Sequence, residues 1–163
     1  MKRNITRISI AGLLAAVIFL STYFLQIPVF TGNINLGDSV ILFAVYLIGS
    51  DAIFAAAVGS MLADLLSGYA IYAPATFCIK ALMVLAALPL LRSGKKIRRI
   101  FAFCIAEAVM VLGYFLYDSL IFGLAGAIKN AGTNAVQGIL AVIIGMLLSM
   151  MIKPRKSRME QRK

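Results

Sequence analysis

The stretch TGNINLGDSV, Thr31–Val40, separates two long apolar runs and is the point from which the fold can be read. The run before it, Ile8–Ile27, has the length of about 20 residues that a helix needs to cross a bilayer. Two asparagines and an aspartate at such a boundary indicate either a turn at the water interface or one wall of a polar site. The stretch therefore predicts a membrane protein with a polar feature between its first two helices.

Apolar runs recur six times along the 163 residues, and hydrophobic residues make up 62% of the chain against 13% charged residues. This balance is typical of an integral membrane protein. The second and third runs are short and joined only by GSDA, so one re-entrant hairpin is an alternative, but the small residues and the turn favour two tilted helices. We predict an all-α integral membrane protein, a single membrane domain over 1–163, with six transmembrane helices at about 8–27, 34–50, 52–67, 73–91, 99–123 and 131–152.

Basic residues predict the orientation of this bundle. With both termini on one side, 14 of the 16 lysines and arginines fall on that side, and the positive-inside rule makes it cytoplasmic. They occupy the N-terminal arm, the loop between helices four and five, and the basic tail 153–163. The net charge of +10 then indicates the headgroups of the lipid bilayer as the anionic partner, and not nucleic acid.

Several kinds of chemistry are excluded by the composition. The chain has no histidine, which removes histidine-based catalysis and imidazole metal sites. Its two cysteines, Cys78 and Cys104, fall in predicted helices without metal-ligand spacing. No G-x-x-x-x-G-K-[ST] motif occurs, so any ATP-driven work has to come from a partner chain. We therefore predict no catalytic residues, no metal and no cofactor.

Polar residues converge at one depth, in the outer third of the membrane. At about 1.5 Å of rise per residue, Asp64, Lys80 and Asp118 lie roughly 6–9 Å from the outer ends of their helices. Ionisable groups inside a bilayer are costly and usually functional, so we predict an outward-facing pocket with aromatic walls. The predicted lining residues are Asp38, Tyr72, Lys80, Tyr114, Asp118, Asn134 and Gln137.

Each of these residues also has a structural interpretation. Asp64 and Lys80 lie at similar depth and are predicted to neutralise one another unless Lys80 contacts a ligand. Asp38 could equally be the N-cap of helix two, and Asn134 a cap of helix six. Glu107 lies about mid-membrane, and we expect it to be hydrogen-bonded within the bundle.

Small residues recur at helical spacing in AGLLAAVIF on helix one. Ala11 and Ala15 share one face, with Gly12 and Ala16 one step round, and such faces let two helices approach closely. Similar rows on helices three and six are interpreted as internal packing. For helix one, internal packing and a docking face for another membrane protein are both open.

Two strings, GNINLGDSVILFAVYLIGS at 32–50 and GSMLADLLSGYAIYAPATFCIKALM at 59–83, resemble the substrate-binding S components of energy-coupling factor (ECF) transporters. The likeness is greatest to the branch linked with hydroxymethylpyrimidine and vitamin B6 compounds. It implies a six-helix bundle that binds a vitamin on its outer side under a lid between helices one and two. The lid would be Thr31–Asn35, with Asn33 and Asn35 contacting substrate and Asp38 in the site wall.

The resemblance further implies docking through the small face of helix one onto a transmembrane coupling subunit driven by two ATPase subunits, and toppling in the membrane to deliver the ligand. The predicted substrate is hydroxymethylpyrimidine or a pyridoxine- or pyridoxamine-like compound, with riboflavin, thiamin, folate and biotin ranked lower. Two other hypotheses stay open: a structural or assembly membrane protein without ligand, and a membrane enzyme using Asp64, Asp118 or Glu107.

Overall fold

The computed structural model describes residues 2–29 and 32–152. Thr31 of the predicted lid and the basic tail 153–163 lie outside the described residues. The helices and strands, in chain order, are α1 (Lys2–Phe24), β1 (Gln26–Val29), β2 (Gly32–Asn35), α2 (Gly37–Ile48), α3 (Ala52–Leu66), α4 (Ala73–Leu91) and α5 (Lys96–Met151), with a 3₁₀ turn at Gly49–Asp51 between α2 and α3.

The number of continuous apolar helices differs from the predicted six. In the part of the chain that the structure describes, four helical stretches are long and apolar enough to cross a membrane: Ile5–Phe24, Gly37–Leu66, Ala73–Leu91 and Lys96–Met151. The coarser prediction of a largely helical membrane protein is confirmed. The last stretch is interrupted at Gly123, which has φ 74° and ψ 174°, a conformation that only glycine adopts at low cost.

The two arms of α5, residues 96–122 and 124–151, run back along one another. Near their open ends, Arg99 Nη1 donates to the carbonyl oxygen of Ser149 at 3.1 Å. Near Gly123, Asn130 Nδ2 donates to Asp118 Oδ2, also at 3.1 Å. Because contacts join the arms at both ends, α5 is a helical hairpin.

Helices α2 and α3 are folded back in the same way. Lys80 on α4 donates to Asp38 at the start of α2, and Thr76, one turn earlier on α4, donates to Asp64 near the end of α3. The beginning of α2 therefore lies at nearly the same level as the end of α3. The turn between them contains Gly49, whose φ is 63°.

The segment between α1 and α2 is where the structure departs from an all-α fold. Strands β1 and β2 pair antiparallel, with Gln26 opposite Asn35 and Val29 opposite Gly32. Helix one therefore ends at Phe24 and not at residue 27, and helix two begins at Gly37 and not at 34. Backbone N–H and C=O groups that would have been hydrogen-bonded within a helix are hydrogen-bonded between the two strands instead.

Small residues allow the helices to pack closely, as predicted for helices three and six. A Cβ atom on Gly59 of α3 would lie 2.6 Å from the carbonyl oxygen of Ala15 on α1, so only glycine fits there without a shift. On the second arm of α5, a Cβ on Gly145 would meet Leu42 at 3.1 Å. The surrounding core is formed by larger side chains that are fully buried, among them Ile18, Ile41, Leu42, Met83, Phe103 and Met110.

Charged contacts hold the end of the bundle that lies opposite the β-hairpin. Arg7 of α1 forms a two-point ion pair with Asp51 in the turn between α2 and α3, with Nε 2.6 Å from Oδ2. The Arg99 guanidinium lies 4.8 Å from the ring centre of Tyr46 on α2. This end, which carries the basic loop 92–99, is referred to below as the basic end.

Candidate functional site

A cavity of about 250 Å³ lies at the hairpin end of the bundle. Among the described residues, all those that line it have a side chain with a polar group, although the chain as a whole is 62% hydrophobic. Polar groups are held inside a membrane bundle at a cost, so a cavity that gathers this many of them indicates a binding site. The lining residues are Thr22, Gln26, Asn33, Asn35, Ser60, Asp64, Tyr69, Tyr72, Thr76, Lys80, Tyr114, Asp118, Asn130, Thr133, Asn134 and Gln137.

The structure brings the predicted site residues together. Eight of the nine line the cavity, and the ninth, Asp38, lies directly behind Lys80 and Gln137. Their role in substrate binding stays a prediction. The eight lining residues are Asn33, Asn35, Tyr72, Lys80, Tyr114, Asp118, Asn134 and Gln137.

A buried ion pair forms the floor of the cavity. Lys80 Nζ donates to Asp38 Oδ1, and Gln137 Nε2 donates to Asp38 Oδ2 at 2.7 Å. Asp38 is 1% exposed and Lys80 4%. The expected partnership of Lys80 with Asp64 is wrong. Lys80 pairs with Asp38 on the buried face of α2, and Asp64 accepts a hydrogen bond from Thr76 instead. Asp38 is not a helix cap either: Leu36 occupies the N-cap position of α2.

A second layer of hydrogen bonds lies one turn above the floor. Thr76 Oγ1 donates to Asp64 Oδ2 at 2.5 Å and lies 2.8 Å from the Tyr114 hydroxyl. The Lys80 ammonium lies 5.3 Å from the ring centre of Tyr114, a distance at which a cation is attracted to an aromatic ring. The Tyr114 side chain therefore joins the floor to the second layer.

Aromatic rings and Asp118 form the outer wall. Tyr72 Oη donates to Asp118 Oδ1 at 2.7 Å, and Asn130 holds the second carboxylate oxygen. Burial, followed by the hydrogen bond to Asp118, raises the pKa of Tyr72 above its ordinary value, so its hydroxyl remains a donor at neutral pH. The Tyr72 ring centre lies 5.5–6.4 Å from those of four other rings: Tyr69, Tyr114, Tyr117 and Phe122.

The β-hairpin covers the mouth of the cavity, where the lid was predicted. Asn33 Nδ2 on β2 donates to the Tyr69 hydroxyl at 3.2 Å and to Gln26 Oε1 on β1 at 3.3 Å. The backbone N–H of Asn35 donates to Gln137 Oε1 at 2.9 Å. The hairpin is therefore attached both to the loop that precedes α4 and to the second arm of α5.

Glu107 does not take part in the cavity. Its side chain is 4% exposed and packs against Gly138, with Oε2 3.4 Å from where a Cβ would stand. The expectation that it is hydrogen-bonded within the bundle is wrong for the described residues, where neither carboxyl oxygen has a hydrogen-bond partner.

A groove of about 570 Å³ runs along the outside of the bundle between α1 and α3. Three of the four predicted docking residues, Ala11, Gly12 and Ala15, line it, and Ala16 does not. Phe54 stands at its edge with 71% of its surface exposed. The small residues of α1 therefore contribute both to packing within the bundle and to a shallow outer surface.

The sequence prediction missed hydroxyl and amide residues inside otherwise apolar helices. Ser60 and Thr76 are examples: each lies one turn from a predicted polar residue, at i−4 from Asp64 and from Lys80. That spacing places side chains on the same helix face and could have identified them. The other residues missed are Thr22, Asn130 and Thr133 on helices and Gln26 on β1.

Comparison with known proteins agrees with this geometry. The family model described as "ECF-type riboflavin transporter, S component" matches residues 2–154. A solved structure, of the S component of a bacterial ECF transporter, superposes with a TM-score of 0.76 at 22% identity, over 91% of this chain and 95% of that chain. Comparison with curated protein sequences finds no match.

Proposed function

The chain belongs to the family of S components of ECF-type riboflavin transporters, and we propose that it captures a single-ring B vitamin or vitamin precursor at the hairpin end of the bundle for import. As an S component it is a multi-pass membrane protein and not an enzyme. Membership of this family argues against the hypothesis of a structural protein without ligand.

Six membrane crossings are part of the proposal. Helices α1 to α4 and the two arms of α5 supply six segments, with both hairpins turning at a positive-φ glycine. The basic loop 92–99 lies at the same end as Arg7 and Ser149, which favours cytoplasmic termini by the positive-inside rule. The cavity then opens to the outside.

The charge of the cavity favours a ligand that carries a basic nitrogen. Lys80 is neutralised by Asp38, which leaves Asp64 and Asp118 held only by neutral donors among the described residues. Two carboxylates without an ion pair of their own among the described residues, at the edge of a low-dielectric cavity, attract a cation or a strong hydrogen-bond donor. This excess of carboxylates is the observation that carries the proposal.

The size of the cavity favours one ring. Pockets for drug-sized ligands measure about 300–1,000 Å³, and this cavity of about 250 Å³ falls below that range. Hydroxymethylpyrimidine, pyridoxine and pyridoxamine are single rings with amino, ring-nitrogen or hydroxymethyl groups that suit the polar lining and the Tyr72 ring. Riboflavin is the rival candidate because the family description names it. Its three fused rings and ribityl chain need a larger cavity, so we rank it below the single-ring compounds.

The groove between α1 and α3 is proposed as the docking surface for the transmembrane coupling subunit, with two ATPase subunits supplying the energy. Its floor of small side chains admits the close approach of a partner helix. It includes Arg7 and Asp51 of the basic end and shares no lining residue with the cavity, so partner and ligand can be bound at the same time.

Thermal stability of the purified protein with a panel of vitamins tests the proposal. A ligand at a hundredfold excess over its Kd stabilises the folded state by about 2.7 kcal/mol. We expect stabilisation by hydroxymethylpyrimidine, pyridoxine or pyridoxamine. The variant Asp118→Asn is expected to reduce it, whereas Asp51→Asn, at the basic end, leaves it unchanged. A shift with riboflavin alone would replace the single-ring substrate with riboflavin, and no shift with any vitamin would refute the binding role.

A further inference from the structure

The side chain of Gln137 connects the β-hairpin to the buried ion pair. Its Oε1 accepts the backbone N–H of Asn35 on β2 at 2.9 Å, and its Nε2 donates to Asp38 Oδ2 at 2.7 Å. The remaining oxygen of Asp38 accepts from Lys80. One amide group thus bridges a backbone donor of the hairpin and a carboxylate of the core.

The surroundings of Gln137 fix the direction of its amide. The side chain is 4% exposed, and Asp38 is an acceptor that requires the NH₂ group to point toward it. The carbonyl oxygen is then directed at Asn35, whose N–H would otherwise have to find another partner. The orientation set by Asp38 therefore decides whether the hairpin has an acceptor.

We infer that Gln137 is a positioning residue that latches the β-hairpin over the cavity, acting through the carboxylate of Asp38, and is not itself a substrate ligand. Its Oε1 is engaged by Asn35 and one N–H of its Nε2 by Asp38, and the side chain is 4% exposed. Asn134, one turn earlier on the same helix and also in the cavity lining, stands where a ligand contact from this helix would come from. The inference rests on the proposed function only in that a ligand lies beneath the hairpin.

Hydrogen exchange in a peptide covering β2, measured on the protein without ligand, tests the latch. In Gln137→Leu the amide of Asn35 loses its acceptor, and we expect its exchange to become roughly fivefold to tenfold faster, the effect of losing about one hydrogen bond. The melting temperature is measured in parallel, because local opening of the hairpin leaves the rest of the bundle intact. Val136→Ala, next in sequence and facing away from the cavity, is the matched control and is expected to exchange as wild type does.

A second measurement separates latching from ligand contact. With pyridoxine or riboflavin as probe, whichever stabilises the wild type, Gln137→Leu is expected to raise the dissociation rate about as much as it raises hydrogen exchange. A fall in affinity at wild-type exchange of β2 would overturn the inference and make Gln137 a ligand contact. Wild-type exchange and wild-type affinity together would also overturn it. Because the exchange measurement uses no ligand, it tests the latch even if no vitamin in the panel stabilises the protein.

Discussion

Removing the ammonium of Lys80 should destabilise the bundle severely, because the buried carboxylate of Asp38 then has no cationic partner. Asp38 is 1% exposed and has two partners, Lys80 and Gln137, so Lys80→Met leaves it with one neutral donor. Breaking a buried ion pair by removing one partner costs about 3–5 kcal/mol. For a chain of this size each 1 kcal/mol lowers Tm by about 2–4 °C, so we expect a loss of roughly 6–20 °C.

The double variant Lys80→Met with Asp38→Leu provides the matched comparison. Both charges are then removed, and exchange of a buried ion pair for apolar side chains is often neutral in stability. Gln137 loses one acceptor, a cost of about 1 kcal/mol. Thermal unfolding in detergent, followed by circular dichroism, should therefore place the double variant well above Lys80→Met. A single variant within about 2 °C of wild type, less than the shift for 1 kcal/mol, would refute the pairing.

Three further variants address packing, docking and the outer wall. Gly59→Ala forces a Cβ against the backbone of α1 and is expected to cost about 1–3 kcal/mol in unfolding experiments, whereas Gly12→Ala, inside the same α1 helix, meets nothing within 4 Å and should not destabilise, with a gain of up to about 1 kcal/mol from helix propensity. Ala11→Leu fills the groove and should reduce co-purification with the coupling subunit, with Val17→Leu on the same helix as control; equal recovery of both would contradict the docking surface. Tyr72→Phe removes one donor to the outer carboxylate and should weaken binding of a stabilising vitamin severalfold in titration calorimetry, and unchanged affinity would place the ligand elsewhere.

Much of the fold could be predicted because the hydropathy of a segment indicates directly whether it can cross a membrane. A break between the fifth and sixth helices was predicted at 124–130; the structure instead interrupts α5 at Gly123, and 124–130 are helical. The β-hairpin could not be predicted, since a four-residue strand containing Pro28 carries no clear alternation of polar and apolar residues. Because α1 ends at Phe24 and α2 begins at Gly37, the backbone between them is hydrogen-bonded as two paired strands.

The cavity was predicted by depth, and its internal connections were not. Rise per residue places Asp64 and Lys80 at comparable levels, but it says nothing about which face of α2 or α3 turns toward α4. Asp38 reaches Lys80 because α2 packs its first turn into the bundle, and Thr76 then takes Asp64. Which polar residues pair at a given depth depends on how each helix is rotated about its own axis. Tertiary packing determines that rotation.

The unequal fastening of the two ends of the bundle has a consequence for the route of the cargo. The hairpin end is closed by neutral hydrogen bonds from Asn33 and Asn35, while the basic end is tied by the Arg7–Asp51 ion pair and by Arg99. Hydrogen bonds between charged groups are about twice as strong as neutral ones. We therefore expect the hairpin end to open more readily than the basic end. Under the proposed function, delivery of the ligand into the cell then requires the loaded bundle to rotate in the membrane, so that its hairpin end changes sides.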